Sequence, residues 1–388
     1  MNIRIILIII VIIIVVVFLT GCWNYKEINE FIIVSGLAVD YSSVDDLYIV
    51  TIELINVSGG IDEQEAMSGE TFESKGISIF DAIRNMIGKA GRRLYWSDAA
   101  VVIISESIAR KGIISALDVV IRGLEIRSDI FLLVSKEDTA AEVLYTRDLR
   151  RQKVISYHLE NILQAQEETS KYFRVPTWIF VKNLYSPEIN PTCPGVKLVT
   201  YNNTTFHQIG ETAVFKKDKL IGWLNEENTK YFLWVTDNLR GGIYSMSFEY
   251  DSSYYDVVFE IFSNQTTKQA QYIDDVLTVT IDIQTIVNIN EIVLNPNVSI
   301  NENIDALEKI IENHIKKKIE SLVHIVQNKY NSDILGLGMT IKQDMPELWK
   351  NEIKNKWDTT FPKLNTEVNV NIKSRRSSLT LKTIRVQD

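Results

Sequence analysis

The sequence predicts a mixed α/β and α+β protein of three domains, each a β-sheet packed with helices. Three observations predict it. A chain of 388 residues is too long for one hydrophobic core of ordinary size. β-Branched runs alternate with helical apolar stripes through the first 150 positions, the pattern of a mixed sheet faced by helices. Strand-like runs then collect toward the C-terminus, ahead of a single long amphipathic stripe.

The first 21 residues stand apart from these domains. Met1 and Arg4 give a short positive start, and residues 5–18 are an unbroken aliphatic run closed by Phe18. That run is an h-region of about 15 residues, shorter than the roughly 20 that cross a bilayer. On length alone an uncleaved anchor is the alternative. Leu19, Thr20, Gly21 and Cys22 follow, and they resemble a bacterial lipobox. The resemblance implies cleavage before Cys22, which then carries diacylglycerol on sulfur and an acyl group on its amine. Residues 1–21 are in that case a lipoprotein signal peptide, and Cys22 is the contact with membrane lipid. Two chains anchor stably where one binds only marginally. Residues 23–30 are all that separate Cys22 from strand-like sequence, and they reach about 30 Å at most. The folded body is therefore expected close to the headgroups or to integral-membrane partners.

The first domain covers residues 22–150. Residues 31–40 and 47–57 are β-branched and predict strands, with Asp45-Asp46 at the turn between them. Residues 58–70 are acidic and glycine-bearing, and predict a loop. Residues 78–90 predict a helix: Ile79, Ile83, Met86 and Ala90 lie on one stripe, Ser78 and Asp81 suit a capping box, and Gly91 suits the stop. Arg92 and Arg93 follow where cations favour a helix end. Residues 99–104 predict a buried strand, 113–124 a helix, 130–134 a strand and 139–145 a short helix.

A smaller middle domain is expected over 151–240. It opens with a helical stretch at 155–173 and passes through a mixed segment at Val175-Pro176. A hairpin follows, with arms at 213–215 and 220–224, and then a helix from Thr229. The last domain, 241–388, opens with strands at 243–250, 255–262, 276–287 and 291–294. Its long helix spans 304–330, with Ile304, Leu307, Ile311, Ile315, Ile319, Leu322 and Val326 on one face and a Glu312–Lys316 pair on the other. Residues 368–372 supply a final strand.

Chemistry-bearing patterns are sparse. The net charge of −9 argues against a nucleic-acid binder. Two cysteines, Cys22 and Cys193, exclude a disulfide framework, and Cys193 lies in Pro191-Thr-Cys-Pro-Gly195, which predicts a loop with a passive thiol. The histidines, His158, His207, His314 and His324, form no ligand motif, and no phosphate loop or nucleophile elbow occurs. Trp178, Trp223, Trp234, Trp349 and Trp357 are expected as scattered anchors rather than a ligand cage. The run 147–153 (RDLRRQK) is the one basic cluster, a solvated face or a contact with anionic headgroups. Without a site signature the chain is read as a binding or scaffold component, not an enzyme, with no cofactor and no metal.

Several segments resemble the Ger(x)C family, the lipoprotein C subunits of spore germinant receptors, over nearly the whole mature chain. They are Gly21-Cys-Trp-Asn-Tyr-Lys-Glu-Ile28, Arg92-Arg-Leu-Tyr-Trp96, Arg122-Gly-Leu-Glu-Ile-Arg127, the hairpin Ala213–Leu224, Asp333-Ile-Leu-Gly-Leu-Gly338, and Trp349 with Asn355-Lys-Trp357 and Phe361-Pro362. The hairpin is the most specific. Asn24 and Ser97-Asp98 depart from the family's usual residues. The resemblance implies a non-enzymatic, lipid-anchored protein on the outer face of the spore inner membrane. It also implies integral-membrane A and B subunits as partners, in a complex that senses small nutrients. It implies no catalytic residues, and Cys22 is the one modified site it transfers. The rival class is a solute-binding lipoprotein of a transport system, which usually has two similar lobes and a flexible tether; neither is visible here.

Overall fold

A computed structural model of the chain describes residues 3–18, 31–57, 67–123, 126–146, 154–250, 253–293 and 304–375. Ile3–Phe18 is one helix of 16 residues, about 24 Å long at the α-helical rise. No helix among the described residues is long and apolar enough to cross a membrane. Cys22, the tether at 23–30, most of the expected loop at 58–70 and the basic run at 147–153 lie outside the described residues.

The larger sheet contains β1 (Phe31–Ser42), β2 (Leu47–Val57), β3 (Met67–Gly76), β4 (Arg93–Tyr95), β5 (Val101–Ser105), β6 (Phe131–Ser135), β7 (Thr192–Tyr201), β8 (Thr204–Lys216) and β9 (Lys219–Leu224). Its order is β3-β2-β1-β5-β6-β7-β8-β9, with β4 paired to the start of β1. The central strands β1, β5, β6 and β7 run parallel, and antiparallel strands flank them. Alternate residues of the centre face two cores. Val102, Ile104, Leu132 and Val134 meet Ile79, Ile83 and Met86 of the Ile79–Ala90 helix. Val101, Ile103 and Leu133 meet Leu144, Ile155, Leu159 and Leu163 on the other side. Burial on both faces is why residues 101–104 read as a continuous apolar run.

The second sheet holds β10 (Ile243–Tyr250), β11 (Ser253–Ile273), β12 (Val276–Val293) and β13 (Asn365–Ser374) in that order. Val257, Phe259, Val279, Ile281, Ile283, Val368 and Ile372 form its buried face. The Ile304–His324 helix packs there through Leu307, Ile311, Ile315 and Ile319.

Helix ends follow the sequence. Ser78 Oγ accepts from Asp81 N at 3.1 Å, and Gly91, left-handed at φ 67°, donates its N–H to Ile87 O at 3.0 Å. Other expectations need correcting. Residues 67–70 are not loop but the start of β3, because the Gly/Glu-bearing segment pairs along all of β2, from Val57↔Met67 to Tyr48↔Gly76. β11 continues through polar residues 263–273, and residues 291–293 extend β12, so the long hairpin hides under a weak apolar alternation. Its turn is Asp274-Asp275, both left-handed.

Residues 192–195 are strand, not loop. Pro194 and Gly195 mark an irregularity in the β7–β8 register between Pro194 and Val196, the kind of position where a strand tolerates such residues. Glu312 is not paired with Lys316 on the solvent side. It is buried, and its carboxylate accepts from Ile372 N at 3.0 Å and pairs with Lys309 at 2.7 Å. Near residue 150, where the sequence suggests a boundary, the sheet is continuous: β6 pairs in parallel with β7.

Candidate functional site

The residues singled out by sequence are dispersed. Cys193 is fully buried, and burial pushes its thiol well above the ordinary range, so it is not a nucleophile at neutral pH. His158 and His207 meet with ring centroids 5.7 Å apart, and His207 Nε2 lies 2.8 Å from Val143 O. His314 lies instead against Tyr244. Trp349 and Trp357 form an edge-to-face pair at 5.3 Å, Trp234 sits with Tyr231 and Tyr244, and Trp178 is half exposed. Among the described residues no three His, Cys, Asp or Glu side chains converge to hold a metal ion.

Two of the quoted segments have a physical reason. In the hairpin, a Cβ at Gly222 would stand 2.3 Å from the Tyr330 ring, whose hydroxyl donates to Trp223 O at 2.7 Å. The bare backbone lets the end of the long helix dock on β9. In the 333–338 segment the Asp333 carboxylate accepts from Leu335 N and Leu337 N, each at 3.1 Å, and from Gly338 N at 2.7 Å. A Cβ at Gly338 would meet Glu188 O at 2.7 Å, so glycine is required for the close approach.

Buried acids serve backbone amides elsewhere as well. Glu53 accepts from Ile155 N at 2.7 Å and Ser156 N at 2.8 Å. Asp40 accepts from Ala140 N at 2.7 Å and Ala141 N at 3.0 Å. Each stands at the start of a helix whose own N-cap side chain makes no bond. These carboxylates satisfy orphan donors from about a hundred residues away.

Beside Asp333 lies a cleft of about 430 Å³ between the two sheets. Its walls come from the Thr177–Leu184 helix, the end of the Glu226–Val235 helix, β11 and the Leu337–Asp344 helix. Lys268 of β11 donates from Nζ to Leu335 O at 2.6 Å. Asp237 Oδ1 accepts from Thr266 N at 3.0 Å and Asn264 Nδ2 at 3.3 Å. Sequence reasoning missed Lys268 and Asp237. A lone lysine in a polar alternating run has no signature. Asp333, bonding two residues ahead, is legible as an Asx-turn.

Burial outweighs the amides at Asp333 and lifts its carboxyl from 3.8 to about 6. Between those values the native state holds a proton that the unfolded chain has lost. The stabilisation is complete below the lower value and disappears as pH rises through the upper one, a change of about 3 kcal/mol. Asp333→Asn stays neutral throughout. Its stability relative to wild type is expected to rise by that amount across the window, measured by urea unfolding of the full chain. Parallel pH profiles for the two proteins would refute the assignment.

The fold and its cleft define a class: an α+β protein behind an apolar N-terminal helix, with two helix-packed sheets that share one hydrophobic core and leave a cleft between them. The profile described as "Spore germination protein N-terminal domain" matches residues 24–198, and "Spore germination B3/ GerAC like, C-terminal" matches residues 210–378. The chain belongs to the Ger(x)C family of spore germination proteins. Spore germination protein KC of Bacillus subtilis (strain 168) is 24% identical, with 94% of this chain and 93% of that protein covered. Spore germination protein GerQC of Bacillus cereus is 22% identical, with 94% and 97% covered. The crystal structure of the GerBC protein matches with a TM-score of 0.52 at 18% identity, over 87% of this chain and 96% of that one, and shares the fold.

Proposed function

We propose that this chain is the lipid-anchored C subunit of a spore germinant receptor complex, acting without catalysis. The observation that carries the reading is the match to both family profiles, at 24–198 and 210–378. Cys22, acylated behind a cleaved 21-residue signal peptide, holds the body on the outer face of the spore inner membrane. The short tether at 23–30 keeps β1 near the membrane, where integral-membrane A and B subunits are its partners. The subunit assembles and stabilises them by covering exposed faces, and nutrient-triggered germination depends on that assembly. The apolar helix Ile3–Phe18 supports the signal-peptide reading, since it falls short of the bilayer's roughly 30 Å core. Deletion of the gene in a strain lacking paralogues is expected to abolish the response to at least one nutrient. Spores of that strain that germinate normally on every single nutrient would overturn the proposal.

A further inference from the structure

Much of the polar lining of the cleft between the sheets is engaged within the protein. Thr236, Thr266 and Thr340 turn their hydroxyls onto Phe232 O, Trp234 O and Gly336 O. Asp333 is engaged by three amides, and Asp237 by Thr266 and Asn264. Two cations remain. Lys268 bonds Leu335 O, which leaves further N–H donors on its ammonium. Arg174, exposed at the rim, has no carboxylate within ion-pair distance among the described residues. Phe232, Val235, Ile334, Leu335 and Met339 supply apolar wall. At about 430 Å³ the space lies in the range of small-molecule sites, which favour joints of this kind.

We infer that this cleft binds a small organic carboxylate, its anionic end held by Lys268 and Arg174 and its hydrocarbon part by the apolar wall. The inference goes beyond the receptor reading and does not depend on it. A carboxylate offers acceptors to both cations, and charge-assisted bonds of this type are the strong ones. A neutral amide of the same shape would form no charge-assisted bond with either cation. Binding is also pH-dependent. Burial lowers the Lys268 ammonium to about 8. The groups around it are Asp333, Asp237, Arg174 at the rim and Asp344, which accepts from Ala270 N farther along β11. Lys268 is the group whose titration is brought into this range.

The test uses the purified full chain in detergent and isothermal titration with 4-methylpentanoate and, as its neutral match, 4-methylpentanamide. The carboxylate is expected to bind saturably, at least ~10-fold more tightly than the amide. Its affinity should fall as pH rises through about 8. Lys268→Met should weaken it ~10-fold or more and flatten the pH profile. Arg174→Gln, at an exposed position, should weaken it several-fold and keeps the test open if the lysine variant unfolds. No saturable binding up to about 10 mM, equal binding of the amide, or carboxylate affinity unchanged in the Arg174→Gln protein would each overturn the inference.

Discussion

Cys22→Ala is expected to abolish the protein's function in the spore, with germination falling to the level of the gene deletion. Without the thiol there is no acceptor for diacylglycerol and no acylated product to be cleaved. Each buried methylene contributes about 0.8 kcal/mol to anchoring, and one chain alone gives only reversible binding. Loss of the acyl chains therefore removes nearly all of the membrane affinity of the mature body. The precursor keeps only the Ile3–Phe18 helix, about 24 Å of apolar length against a core of roughly 30 Å. Mass spectrometry of the N-terminal peptide reads the result directly. Wild type should begin at an acylated Cys22, and the variant should retain residues 1–21. An unacylated wild-type peptide, or a Cys22→Ala spore that germinates normally, would sink the anchoring proposal.

Glu53→Ala is expected to destabilise the fold by about 3–5 kcal/mol. Glu53 is fully buried in β2, and its carboxylate takes Ile155 N, Ser156 N and Ser35 Oγ within 2.7–2.9 Å. Truncation leaves two buried amides without acceptors, each costing about 1–3 kcal/mol less what local water recovers, while Ser35 Oγ keeps the Glu53 carbonyl at 3.1 Å. It also releases the Ile155–Gln164 helix, whose Leu159 and Leu163 fill the second core. Glu53→Gln should lose less, because its amide oxygen still accepts from one donor, while its NH₂ opposes another. Urea unfolding of the three proteins checks the order wild type, Gln, Ala. An alanine variant within 1 kcal/mol of wild type would show that the carboxylate is not the tie that holds this helix.

Much of this architecture was legible before the structure. The Ile79–Ala90 helix carried its own start and stop in Ser78, Asp81 and Gly91. The Leu307–Ile319 stripe told which face of the long helix would be buried. The hairpin at β8–β9 was marked by the Lys-Lys-Asp-Lys run at 216–219, of which the structure keeps Lys217 and Asp218 as the turn. Each of these signals is local, written in residues a few positions apart. β3 and the polar half of β11 were not legible. Glu, Ser and Gln there have little intrinsic preference for a strand, and partner strands decide their state. The cleft was equally hidden, since Arg174, Asp237, Lys268 and Asp333 are brought together from four separate stretches of chain.

By itself the sequence determined the apolar N-terminal run, the alternation of strand and helix, the caps and the segments that carry the family likeness. All of these follow from side-chain period, turn chemistry and short-range capping, which act within a few residues. Only the tertiary structure decided that β7 would join β6 across the region near residue 150, and that Glu53 and Asp40 would start helices a hundred residues away. The physical reason is that a buried amide must find an acceptor and a strand edge must find a partner, whatever their distance along the chain.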